Sequence, residues 1–151
     1  MKKSENNAMI DQKKNSMIMW ALLALSTVGF IDAVYLALKR LVGSPVTCIA
    51  FSGCDVVAQS KYSLLLGIPL AFLGVVFYAA MVIMITYYLQ RRTKRGLQQV
   101  LYLALFGGLF SLYLLALQAF VIKAWCFYCV ISDTIGVIGG MLAIYLLRKN
   151  K

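Results

Sequence analysis

Apolar residues run almost unbroken through four stretches, residues 17–38, 63–89, 97–122 and 124–147, and polar residues collect between and beyond them. Each run meets or exceeds the ~20 residues a helix needs to cross the ~30 Å hydrocarbon core, so the pattern predicts four transmembrane helices. The expected class is all-α: an integral membrane four-helix bundle with a structured outer loop between spans one and two. Residues 1–16 read as a polar, basic tail, poorly ordered at the membrane surface. Residues 17–147 form the four-span domain, and 148–151 a second short tail.

The segment of about residues 39–62 is the longest connection and has room for structure. Within it Ser52 or Asp55 can start a short helix, because Val56, Val57 and Ser60 follow at helical spacing. Such a helix would lie across the bundle mouth as a lid. Pro69 falls in the first turns of span two, where a missing N–H is tolerated if the helix begins near Ser63. Gly107, Gly108 and Ser111 in span three, with Gly136, Gly139 and Gly140 in span four, read as packing seams. Asp32, near the outer end of span one, should reach the interface or find a partner.

Composition agrees with the pattern. Of 151 residues, 62% are hydrophobic and 13% charged, and the mean hydropathy is +0.84. The net charge of +10 sits at the ends of the spans rather than in a stripe or a basic fold, which argues against a nucleic-acid partner. Eleven Lys and Arg residues fall on one face, in residues 1–16, 90–96 and 148–151. Four (Lys39, Arg40, Lys61 and Lys123) fall on the other. The positive-inside rule then places both termini in the cytoplasm. The first span is longer than a signal peptide's apolar core and shows no clean small-x-small site, so it is expected to stay in the chain. Lipidation motifs are absent from the sequence.

The chain has no histidine, which removes the commonest general base and metal ligand. Sulfur remains. Cys126 and Cys129 are spaced i, i+3 at the start of span four, so on a helix both sulfurs share a face and can form a disulfide. The unpaired N–H groups of a first turn favour a thiolate there. Cys126 is expected nearer the water and Cys129 one turn deeper, beside lipid-soluble molecules. That arrangement suits transfer of electrons from a protein partner at the outer thiol to a quinone at the inner one. Cys48 and Cys54 lie six apart in the outer loop, with Gly53 permitting a bend. Charge placement puts them on the same, disulfide-permissive face. Two facing dithiol pairs can pass electrons by disulfide exchange. Competing readings are a zinc site, which the C-x5-C half fits poorly, two static disulfides bracing a structural or transport bundle, and inert buried cysteines. No metal is expected.

Taken together, Cys48-x5-Cys54, Ser60 six residues on, Gly67-Ile68-Pro69 and Cys126-x2-Cys129 resemble the vitamin K epoxide reductase family, bacterial branch. Gly29-x2-Asp32-x2-Tyr35-Leu36 is also similar to its bacterial members. The resemblance implies that Cys48 exchanges with a soluble thiol-oxidoreductase and that Cys54 passes electrons to Cys126. Cys129 would react with a quinone, menaquinone or ubiquinone, and Ser60 would neighbour its pocket. Family members that reduce the epoxide commonly carry a tyrosine four residues after the inner cysteine. Asp133 stands there, and span two offers no asparagine to a quinone carbonyl, which leaves simple quinone reduction as the implied reaction. Asp133 reads either as a proton donor or as a group satisfied by Ser132 or Thr134. With no fused thioredoxin-like domain in these 151 residues, the expected partner is a separate exported protein with its own C-x-x-C. The disulfide-bond B-type quinone reductases share the chemistry, but their pairs usually occur in the opposite order. The implied place is the bacterial inner membrane, with the site on the periplasmic side.

Overall fold

The computed structural model describes residues 2–46 and 53–149, with side chains from residue 13 onward. Four of its helices are long and apolar enough to cross a membrane. They come from α1 (Lys2–Val42), α3 (Leu70–Arg91), α4 (Lys94–Ala116) and α5 (Phe127–Lys149), with the short α2 (Cys54–Gln59) between the first two. α1 packs along α3 and α4 along α5, while contacts of α1 with α5 and of α3 with α4 close the bundle. The chain is an all-α membrane bundle.

Three layers of side chains fill the interior. At the basic end, Met19 and Leu22 of α1 meet Ile85 of α3, Leu101 of α4 and Leu146 of α5. Ala33, Tyr78 and Ile135 form a middle layer. At the cysteine end, Val46, Cys54, Val57 and Cys126 pack together. The α4–α5 seam is built from the small residues singled out in the sequence: a Cβ on Gly108 would lie 2.9 Å from the Gly140 Cα. No side chain fits between the two backbones there.

Two segments differ from the sequence pattern. α1 continues back to Lys2, so the tail expected to be loose has helical backbone. Nothing from residue 2 to residue 28 is Gly or Pro, and a helix already nucleated by the span extends by one bond per residue fixed. Span two, in turn, starts at Leu70 rather than near Ser63. The intervening residues make a small antiparallel hairpin, β1 (Leu64–Leu65) with β2 (Ile68–Pro69). Its turn residues Leu66 and Gly67 both have positive φ, 53° and 83°, the backbone hand that matches strand twist in a two-residue turn. Pro69 is thereby the residue before the helix, not part of its first turns.

The short helix of the outer connection forms, beginning at Cys54 with Gly53 at its N-cap rather than at Asp55, while Ser52 lies outside the described residues. Two hydrogen bonds fasten this lid. The Val46 N–H donates to Asp55 Oδ1 at 2.8 Å, and Arg40 Nη1 donates to the Ala58 carbonyl at 2.6 Å.

Candidate active site

The last turns of span three are not α-helical. Leu117–Ile122 continue α4 as a π-helix that ends at Lys123, whose φ is +54°. A left-handed residue reverses the chain and returns it to the bundle within a few residues, so Cys126 arrives at the N-terminal edge of α5. The Cys126 carbonyl accepts the first α5 bond, from the Val130 N–H at 2.9 Å.

Cys126 and Cys129 are free thiols, and the Cys129 S–H donates to Cys126 Sγ at 2.7 Å. The Cys129 main-chain N–H points at the same sulfur, 3.4 Å away. These donors stabilise a negative sulfur. The Cys126 thiol is held below its ordinary pKa, first by the Cys129 hydrogen bond, with burial opposing.

Helix α2 brings Cys54 to the same place. Cys54 and Cys126 are each only 1% exposed and belong to one buried cluster. Cys54 is disulfide-bonded, and Cys48 lies outside the described residues. Gly53 makes the close approach, although not as a bend. Its φ of −96° is open to any residue, but a Cβ would sit 2.8 Å from the Trp125 carbonyl oxygen. Cys126 is consequently buried at the N-terminal edge of α5, with Cys129 one turn further in. The lid seals Cys126, and Cys129 is the more exposed of the two.

Behind the sulfurs lies a polar cluster. Asp133 is 5% exposed and Gln118 3% exposed. The Gln118 amide donates from Nε2 to Asp133 Oδ2 at 3.2 Å, and its Oε1 accepts the Cys126 N–H at 3.1 Å. Asp133 is therefore satisfied by Gln118 rather than by its chain neighbours. Ser132 donates instead to Asp32 of α1, which gives that carboxylate its partner. Thr134 donates to the Val130 carbonyl. Tyr78 of α3 donates to the Ser132 carbonyl at 2.6 Å, tying three helices together at this level.

Cys54, Cys126, Cys129, Ser60 and Asp133 all line one cavity of about 740 Å3. Its other walls are largely apolar, with Leu36, Phe77, Phe110 and Leu114 among them. Ser60 ends α2 and donates to the Val57 carbonyl at 2.8 Å, so its hydroxyl serves the lid as well as the wall. Sequence reasoning missed Gln118 and Tyr78. The signal for Gln118 was present: an amide inside an apolar run must find partners in the bundle.

Four spans around a thiol pair beside a large apolar cavity define a multi-pass membrane protein with the equipment of an oxidoreductase. The model of the vitamin K epoxide reductase family matches residues 20–147, and the chain belongs to that family. A search of curated proteins returns no match.

Proposed function

We propose that this protein is a membrane thiol:quinone oxidoreductase that reoxidises an exported thioredoxin-like protein and so supports disulfide-bond formation. The observation that carries the reading is the convergence of Cys54, Cys126 and Cys129 on one cavity, with the first two in a single buried cluster.

The residues fit a quinone. A volume of about 740 Å3 with mostly apolar walls is within the range of sites that bury an organic ring. The polar groups gather at the sulfur end, where ring oxygens need donors. When bound, the quinone supplies an acceptor for two electrons and two protons.

The proposed sequence conserves electrons. A thiolate of the partner attacks the disulfide of the loop pair Cys48/Cys54, and the partner's second thiol resolves the mixed disulfide and leaves oxidised. Reduced Cys54 next attacks the Cys126–Cys129 disulfide at Cys126, releasing Cys129 as a thiolate. Cys48 then displaces Cys126 from Cys54, which closes the loop disulfide again. Cys126 and Cys129 are left as a dithiol. They rejoin as a disulfide by giving up two electrons and two protons to the acceptor. Cys126 suits exchange because its lowered pKa makes it a good leaving group when Cys48 displaces it from Cys54. Ser60 and Asp133 line the acceptor's side of the cavity.

In this reading residues 17–147 are the redox domain, and residues 1–16 and 148–151 are cytoplasmic tails. The host is the bacterial cell membrane, with the cysteines on its extracytoplasmic side. Menaquinone and ubiquinone are the candidate acceptors.

The test is quinone-dependent oxidation of a reduced thioredoxin-like protein by the detergent-purified chain, with each cysteine replaced in turn. C54A should stop partner oxidation and leave Cys126 and Cys129 joined. Partner oxidation at the wild-type rate by C54A would refute the relay order.

A further inference from the structure

A glutamine amide in the hydrocarbon region is costly unless both its ends are hydrogen-bonded. Gln118 meets that demand in an uneven way: its oxygen holds the main chain of Cys126, and its nitrogen holds the carboxyl of Asp133. The first N–H groups of a helix have no intrahelical partner. Here the N–H of Cys126, at the edge of α5, is capped from another span rather than by a neighbouring residue of its own chain segment. Gln118 stands in the π-helical turn that ends span three. One extra residue per turn rotates the residues beyond it by about 100° relative to a continued α-helix. π-turns have poorer hydrogen bonds and concentrate at functional sites. A plain α-helix over Leu117–Ile122 would turn the chain that follows, Cys126 included, to another side of span three and leave the Cys126 N–H short of the Gln118 oxygen.

We propose that Gln118 is a positioning residue of the redox site: its amide clamps the Cys126 end of the thiol pair to the Asp133 carboxyl, fixing the sulfurs against the polar end of the cavity. This inference rests on the thiol:quinone reading for its activity arm, but the clamp itself is a matter of geometry. The clamp holds the Cys126–Cys129 turn in the register that lets the Cys129 S–H reach Cys126 Sγ. It also restrains the Asp133 side chain, which shares the cavity wall with both sulfurs.

Two variants test it in the full chain with Cys48 and Cys54 replaced by Ala, so that Cys126 and Cys129 are the titrating thiols. The first readout is the pH midpoint of thiolate ultraviolet absorbance after reduction with dithiothreitol. Q118L removes both bonds and should raise the midpoint. Q118E keeps an oxygen for the Cys126 N–H but sets a second carboxyl against Asp133 beside the thiols, so its midpoint should rise as well. The second readout uses the chain with all four cysteines, a reduced thioredoxin-like partner and menaquinone-4. Both variants should lose kcat, Q118L by roughly 10- to 100-fold, as expected for sub-ångström misplacement, with KM for the partner unchanged. A Q118L midpoint and kcat equal to those of the parent would overturn the clamp. Should Q118L fail to fold, Q118E decides alone: an unchanged kcat overturns the proposal, and a lowered kcat with KM for the partner unchanged supports it. If the parent chain reduces no quinone at all, the thiolate titration still judges Gln118, and only the functional reading falls.

Discussion

At Cys126 the hydrogen bond from its neighbouring thiol is the largest of several influences that favour the thiolate. The neighbouring thiol donates to it across 2.7 Å, and that donation outweighs the burial that would otherwise favour the neutral form. C129A deletes the donor, so Cys126 in the reduced protein should titrate at higher pH, as thiolate absorbance would register. The same bond has a consequence for stability. An unfolded cysteine titrates near ~8.5, and the folded value lies below it. The stabilisation linked to this thiol is therefore complete above about pH 8.5 and is lost as pH falls through the folded value. Melting of reduced wild-type protein in detergent should rise over that window, and C129A should flatten the rise. Asp133 shows the opposite limit of what a residue's neighbours in sequence reveal. Ser132 and Thr134 flank it with hydroxyls, but the helix points one at Asp32 and the other back at its own Val130 carbonyl. Its partner comes from span three.

Among the elements, α2 decides whether the two cysteine pairs can meet. Six residues make too short a helix to stand alone, and it holds because Asp55, Arg40 and the buried Cys54 and Val57 tie it down. Gly53 sets how near it can come. A methyl group there would press on the Trp125 backbone, and relief by shifting the lid costs typically ~1–3 kcal/mol. G53A should slow oxidation of the protein partner several-fold or more while leaving direct oxidation of the dithiothreitol-reduced Cys126/Cys129 pair by quinone near the wild-type rate. Equal slowing of both half-reactions would place the defect outside the lid contact. The short helix was legible from the spacing of Val56 and Val57. The hairpin was not, because Leu64, Leu65 and Ile68 continue the apolar run of the span and mask the turn at Leu66 and Gly67.

For the whole molecule, the α4–α5 seam carries the site. Both halves of the polar cluster hang from it, Gln118 beyond α4 and Asp133 on α5. G108A would place a methyl 2.9 Å from the Gly140 Cα, destabilise the bundle by about 1–3 kcal/mol, and lower the detergent melting temperature. Because it spreads the two spans, it should also slow quinone reduction. Length and apolarity determined the four spans from sequence alone, since a bilayer of fixed thickness forces any helix that crosses it to be long and apolar. The C-x-x-C spacing likewise determined that Cys126 and Cys129 would share a helix edge, because i and i+3 lie on one face. Only the tertiary structure decided that Cys54 is sealed against Cys126, that Gln118 rather than Ser132 or Thr134 serves Asp133, and that span two begins after a hairpin. Those outcomes depend on the rotation of one helix against another and on a π-turn at the end of span three. Such rotations are set by packing between distant residues, and no local pattern along a uniformly apolar chain encodes them.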